Sequence, residues 1–326
     1  MKSKSLWYTT AKRVEVREIE IPSPGPGEAL VRVDACGVCT WDLFIFSGGF
    51  SHTKPFPFYF GHEGIGHVAA VGPGVTRIRV GDRVALLSTA DIGSIGGGHM
   101  AEYALQKQDV LVPIPEDRIP AEHWMIEPAA CCVNAIDLAH IRAGARVALV
   151  GSGFMGSILL QLLAMSPVSK LTAFDLRPES IAYARSLNGG AAVEVVDLKS
   201  EDPLSGDRAG TYDLVFEAAA AEPAFRLANA LVRTGGTIGI FSWHHHEITF
   251  DFGDWHVRGI TVLNTSPAAN PHFQDCFYQA RELIAAGRID LAPLVTHVDA
   301  AEGAQSLFEK GLGKTDGYVK GVIRWS

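Results

Sequence analysis

Residues 146–163 constrain the fold of this chain more than any other stretch. Arg146-Val-Ala-Leu-Val150 has the length and composition of a buried strand, and Ser157-Ile-Leu-Leu-Gln-Leu-Leu163 suits an apolar helix. Between them stands Gly151-Ser-Gly153-Phe-Met-Gly156. Gly151 permits the tight turn out of the strand, Gly153 lets a pyrophosphate approach the backbone, and Gly156 lets the helix pack on the strand. The helix start, including Phe154 and Met155, offers unpaired N–H groups and partial positive charge to a phosphate. The spacing alone is weak, but a strand before it and an apolar helix after it make it a dinucleotide cradle.

The surroundings extend the pattern. Leu171–Asp175 reads as a strand, Glu179–Leu187 as a helix, Leu214–Glu217 as a strand, 225–232 as a helix and Thr237–Phe241 as a strand. This alternation predicts an α/β fold with a doubly wound parallel sheet of Rossmann type. After about Ser266 it stops; helices near 273–286 and 300–310 and a last strand at Tyr318–Ile323 follow. The first 125 residues read as β-rich, with strands at Ala29–Ala35, Gly66–Val71, Arg83–Leu87 and Leu111–Ile114 separated by Gly/Pro turns. A length of 326 residues suggests two domains. The expected division is 1–126 for the β-rich domain, 127–267 for the cofactor domain, and 268–326 for a return to the first.

Asp175 ends the strand after the cradle, where a carboxylate accepts the adenosine-ribose hydroxyls and repels a 2′-phosphate. NAD is therefore expected over NADP, although Arg177 lies close enough in sequence to pair with that phosphate.

A second constellation lies in the β-rich part. Cys39 sits in Cys-Gly-Val-Cys-Thr-Trp-Asp, His62 and Glu63 in Gly-His-Glu-Gly-Ile-Gly, and Glu127 in Met-Ile-Glu-Pro. A catalytic zinc takes three protein ligands of thiolate, imidazole or carboxylate type and keeps a fourth position open. Cys39, His62 and either Glu63 or Glu127 supply such a set. A metal to hold an oxygen, beside a cofactor to take a hydride, points to oxidation of an alcohol.

In this combination the chain resembles the zinc-dependent medium-chain dehydrogenase/reductase family. The matching pieces, in family order, are Gly37-Val-Cys39-x-x-Asp42, Gly61-His-Glu-Gly-x-Gly66, Val71-Gly-x-Gly-Val75, Val80-Gly-Asp-Arg-Val84 and the cradle itself. The Ile126-Glu-Pro128 context is closest to the sorbitol and polyol dehydrogenase branch. The resemblance implies a GroES-like catalytic domain split around a Rossmann domain. It implies hydride transfer between a secondary alcohol, such as a polyol, cyclitol or sugar derivative, and NAD. It also implies that Asp42 orients the ligand histidine from behind, and that a third-position carboxylate binds directly or through the zinc water. Homodimers or homotetramers built by sheet-edge pairing around 257–264 are expected on the same ground.

The chain departs from the family in two places. No cysteine lies between Asp82 and Asp109, and Leu86–Gly98 is a short Gly/Ser-rich passage, so one zinc per chain is expected. Trp41 stands where the family usually has a relay hydroxyl. Thr40, a water held by Glu127, or His52 are the candidate substitutes, while Trp41 and His52 are expected to line the substrate pocket. Cys36 and Cys131-Cys132 read as packing residues, and Trp243-His-His-His-Glu247 as a solvated loop near the cofactor.

Bulk properties exclude other classes. A net charge of −8 without a basic block argues against nucleic acid. No apolar run approaches the roughly 18–20 residues of a membrane span. The N-terminus lacks an apolar signal core, and five cysteines in so long a chain suggest no disulfide framework. A cytoplasmic enzyme is expected. The competing readings are a dinucleotide-binding protein without turnover and a reductase of activated double bonds.

Overall fold

The structure, a computed structural model, describes residues 1–49, 52, 54–87, 98–116, 118–187 and 192–325. The chain forms two compact units, one of Met1–Pro128 with Phe277–Ser326, the other of Ala129–Cys276.

The first unit begins with β1 (Lys2–Thr10), β2 (Arg13–Glu20), β3 (Glu28–Val38), α1 (Thr40–Phe46), β4 (Phe58–Tyr59), β5 (Gly64–Val71), β6 (Arg83–Leu86), β7 (Tyr103–Lys107) and β8 (Leu111–Pro113). Helix α2 (Ile126–Ala139) follows and takes the chain into the second unit at Ala129. β3 is the longest strand and organises the unit. It pairs antiparallel with β5 and with β7, while β2-β1-β4 make a separate small sheet. Tyr8, Phe46, Phe58 and Phe308 fill the core, with ring centroids 5.3–5.8 Å apart. Full burial of an aromatic or aliphatic side chain contributes roughly 1.5–3 kcal/mol.

The second unit contains β9 (Arg146–Val150), α3 (Phe154–Met165), β10 (Lys170–Asp175), α4 (Pro178–Ser186), β11 (Val193–Asp197), β12 (Tyr212–Glu217) and α5 (Glu222–Leu231). β13 (Val232–Ile240), α6 (Phe252–Arg258) and β14 (Thr261–Asn264) continue it, and α7 (Phe273–Ala285) returns the chain to the first unit at Phe277. The six strands are parallel and run in the order β11-β10-β9-β12-β13-β14. The chain thus winds outward in one direction from β9 to β11, then in the other from β12 to β14. The crevice outside the carboxyl ends of β9 and β12, where the order reverses, is the dinucleotide position of such a sheet. Residues 147–150 of β9 are all buried, as a strand covered on both faces requires.

The C-terminal part adds β15 (Val295–Ala300), α8 (Ala304–Gly313) and β16 (Lys320–Arg324) to the first unit. β16 pairs with β3, Ile323 opposite Cys36 and Gly321 opposite Val38.

The α/β class with a parallel Rossmann sheet and a β-rich companion is as expected. Several local expectations are corrected. Ala300 ends strand β15 instead of opening a helix, and α8 starts only at Ala304. The edge strand expected over 257–264 is shorter. Asp251 caps α6 by accepting from Gly253 and Asp254 N–H, and Gly259 at φ 60° closes it, so Val257 is helical and only Thr261–Asn264 is strand.

Candidate metal centre and nucleotide cradle

The end of β3 leads directly into α1, with Cys39 as the N-cap residue. Asp42, fully buried in the first turn, accepts from the Cys39 N–H through Oδ2 at 2.8 Å and from the Tyr8 hydroxyl through Oδ1 at 3.2 Å. These bonds fix the backbone that carries the Cys39 thiol. A carboxylate at a helix N-terminus is also favoured by the helix dipole.

His62 and Glu63 precede β5. Gly61 holds φ 101°, and a Cβ there would stand 2.7 Å from the Met100 nitrogen, so the approach to His62 admits only glycine. The donor atoms of Cys39, His62 and Glu63 all lie within 4.8 Å of one another. The Cys39 thiol and the imidazole are close enough for each to act on the other's ionisation. The other side of the ring, Nδ1, is buried without a partner and stands 4.0 Å from Asp42 Oδ1. A ligand histidine commonly turns its second nitrogen toward an orienting carboxylate, and the orphaned Nδ1 beside buried Asp42 fits that arrangement.

Charge around the ring favours a cation. Burial by itself would lower the His62 pKa, but Asp42, Cys39 and Glu127 outweigh it and raise it well above the ordinary value. Burial pushes the Asp42 carboxyl and the Cys39 thiol up, the latter partly offset by His62. Donor chemistry, spacing and field therefore fit a zinc ion. Glu127, half-buried in the first turn of α2, is near enough to act on His62.

Two neighbours are not legible in the sequence. Lys320, in β16, is buried and donates to Glu63 Oε1 at 2.8 Å, with Oε2 at 2.5 Å. Burial disfavours the ammonium, but Glu63 more than compensates and its pKa is raised. A single lysine inside the apolar run Tyr318–Ile323 is the only signal the sequence carries for it. Gly37 makes room for this pair, since a Cβ there would lie 1.9 Å from Glu63 Oε2 and 2.6 Å from Met125 Sδ. His99, fully buried, accepts from the Gly64 N–H at 3.2 Å, and burial followed by the charge of His62 lowers its pKa to about 3.

The remaining candidates are more dispersed. Thr40 is exposed at the first position of α1, and His52 is exposed as well. Trp41 is half-buried and stacks on Phe44, ring centroids 5.4 Å apart. Cys36 is buried in β3 and its thiol is pushed well up by burial, while Cys131 and Cys132 are buried in α2. Most of the cysteine-free passage from Leu86 to Gly98, residues 88–97, lies outside the described residues.

In the second unit, Gly151 holds φ 95°, Gly153 is the N-cap of α3, and a Cβ on Gly156 would stand 2.1 Å from the Gly151 carbonyl oxygen. Phe154 and Met155 form the first turn of α3. Asp175 ends β10. Its Oδ2 accepts from Ser152 N–H at 2.6 Å and Ser152 Oγ at 3.1 Å, and its Oδ1 from the Leu176 and Arg177 N–H groups, each at 2.8 Å. The Arg177 guanidinium bonds Ser180 Oγ at 3.0 Å and lies 2.9 Å from where a Gly153 Cβ would be. Carboxylate and guanidinium thus border the same Gly-rich turn. The 243–247 segment is not uniformly solvated as expected: His244 turns inward onto the buried Glu217, while Trp243, His245 and His246 are exposed.

Comparison with known proteins agrees with this geometry. The family model for the alcohol dehydrogenase GroES-like domain matches residues 25–116, and that for zinc-binding dehydrogenase matches 154–286. An alcohol dehydrogenase of Geobacillus stearothermophilus is 28% identical, with 94% of this chain and 95% of that protein covered. D-arabinitol dehydrogenase 1 of Uromyces fabae is 26% identical, with 94% and 93% covered. The crystal structure of a zinc-binding dehydrogenase from Sinorhizobium meliloti 1021 bound to NADP superimposes with a TM-score of 0.86 at 25% identity, both chains covered in full. The chain belongs to the zinc-dependent medium-chain dehydrogenase family. It is an oxidoreductase of that family, with a GroES-like unit and a Rossmann unit.

Proposed function

We propose that this protein interconverts a secondary alcohol and its ketone, with a polyol, cyclitol or sugar derivative as the substrate class, one zinc per chain and NAD as the hydride acceptor. The observation that carries the reading is the Cys39–His62 pair, gathered beside Glu63 and backed by buried Asp42. The likeness to an arabinitol dehydrogenase favours the polyol class. When bound, zinc supplies Lewis acidity toward the substrate oxygen and the nicotinamide takes the hydride.

Cys39 and His62 would hold the ion. Asp42, 4.0 Å behind His62 Nδ1, would orient the ring so that its other nitrogen faces the ion. Both oxygens of Glu63 face Lys320, so we assign the third position to Glu127, directly or through a water. Because Thr40 and His52 are exposed and Trp41 carries no hydroxyl, Glu127 is also the residue we assign to receive the substrate proton. Trp41, stacked on Phe44, is the residue we assign to the wall of the substrate pocket.

Asp175 is set to take the ribose hydroxyls by exchanging its bonds to Ser152. The NADP-bound relative and the position of Arg177 make the NAD-over-NADP choice the point to measure. β14 is the edge of the parallel sheet, and pairing of two such edges supports a homodimer or homotetramer. Light scattering at micromolar concentration that reports a monomer would remove that part of the proposal. Among the described residues no helix is long and apolar enough to cross a membrane, and the five cysteines are free, which suits a reducing cytoplasm.

The deciding experiment is a nicotinamide-absorbance screen of the zinc-loaded protein over polyols, cyclitols and simple secondary alcohols, with NAD and NADP in parallel. Turnover of none of them by either cofactor would overturn the reading.

A further inference from the structure

The Trp243–Glu247 segment has no part in the function proposed above, yet one of its side chains is built into the second unit. Glu217, the last residue of β12, is fully buried. A buried carboxylate costs several kcal/mol unless its oxygens are bonded, and an apolar residue could end this strand at no such cost. Here Oε1 accepts from the Ala219 and Ala220 N–H groups at 2.8 and 2.9 Å. Oε2 accepts from His244 Nε2 at 2.8 Å and from the Ser242 hydroxyl. The His244 ring stands edge-on to buried Phe225, centroids 5.8 Å apart.

The four donors belong to two segments that leave the carboxyl ends of neighbouring strands: 218–220 after β12 and 242–244 after β13. The first segment touches the cradle itself. A Cβ on Gly151 would lie 2.9 Å from the Ala218 carbonyl carbon and from the Ala219 nitrogen. Ala220 holds φ 56°, a conformation that persists only where its surroundings fix it. Slack in 218–220 would therefore be felt at the turn that receives the pyrophosphate.

We propose that His244 is a positioning residue for the dinucleotide: bonded to Glu217, it clamps the 242–247 segment to the turn at 218–220 and holds the crevice beside Gly151 in its binding shape. The proposal rests on the dinucleotide reading of the cradle. Ser242 is the second jaw of the clamp, its hydroxyl 3.2 Å from His244 Nε2.

The test is fluorescence titration of the zinc-loaded protein with NADH and with NADPH, alongside zinc content and melting temperature without nucleotide. His244→Ala should weaken binding of the preferred nucleotide roughly tenfold, the loss of one hydrogen bond to a charged group. The loss should appear in the cofactor KM with kcat nearly unchanged. His244→Gln, whose amide can donate to Glu217 in place of Nε2, should bind nearly as wild type. Should His244→Ala not fold, Ser242→Ala carries the same expectation with a smaller loss. Unchanged affinity in the folded variants, or a lowered melting temperature with unchanged affinity, would overturn the clamp alone. A wild type that binds neither nucleotide would overturn the dinucleotide reading and the clamp with it.

Discussion

Lys320 and Glu63 lie 257 residues apart in sequence and form a buried ion pair at 2.8 and 2.5 Å. The two side chains are only 4% and 1% exposed, so neither charge is satisfied by solvent. Removing one partner leaves an uncompensated buried charge. Lys320→Met should therefore lower unfolding free energy by about 3–5 kcal/mol, and adding Glu63→Gln should recover much of the loss. Urea unfolding of the two single variants and the double variant measures the coupling. A double variant no better than Lys320→Met would show that the pair is not what holds β16 here.

Metal content separates the four ligand candidates. Cys39→Ala should abolish zinc binding and activity together, while Cys36→Ala should keep both, since Cys36 is a packing residue in β3. Because Lys320 occupies Glu63, Glu127→Gln should weaken zinc retention more than Glu63→Gln. Loss of affinity on changing an outer or replaceable partner is typically about 10–100-fold. Elemental analysis after dialysis against a competing chelator provides the ratio. Two tightly held zincs in the wild type would contradict the one-ion expectation.

Two side chains at one turn, Asp175 and Arg177, provide the test of cofactor choice. Asp175→Ser should weaken NAD and strengthen NADP, because it removes like-charge repulsion and leaves Arg177 to pair with the 2′-phosphate. The ratio of kcat/KM for the two cofactors, wild type against variant, is the measurement. A wild type that already uses NADP more efficiently would show that Arg177 outweighs Asp175.

His99 predicts an acid-sensitive component of stability. Its pKa is about 3 in the folded protein and near 6.5 in an unfolded chain. Between those values the unfolded state binds the extra proton. Stability is therefore complete above about pH 6.5 and falls as the pH drops toward 3, by up to roughly 1.4 kcal/mol per pH unit. His99→Asn, which keeps an acceptor for the Gly64 N–H, should flatten this slope in unfolding measured at several pH values. Equal slopes in the two proteins would assign the acid sensitivity elsewhere.

The sequence discloses what neighbours in the chain determine. The cradle is written in consecutive residues, strand, three glycines and helix, and Asp175 closes the next strand. Cys39 and His62 are legible through the motifs around them, but Lys320 is not, because it reaches Glu63 only through the pairing of β16 with β3. The β1–β2 hairpin is hidden for a local reason. Its turn, Ala11-Lys12, carries no Gly, Asn or Pro, and Lys12 takes φ 59° without the usual residue type. Helix α6 is signalled at both ends, by Asp251 and Gly259, yet the apolar Val257 and Ile260 suit a strand equally well and mask it. The inward turn of His244 depends on a partner 27 positions away and has no local mark.

The first unit is assembled from two stretches of chain with the whole second unit between them. Synthesis therefore releases Cys39, His62, Glu63 and Glu127 well before Lys320 leaves the ribosome, and the inserted unit can fold in the interval. The contact between Lys320 and Glu63, which the pairing of β16 with β3 brings about, is therefore among the last to become possible.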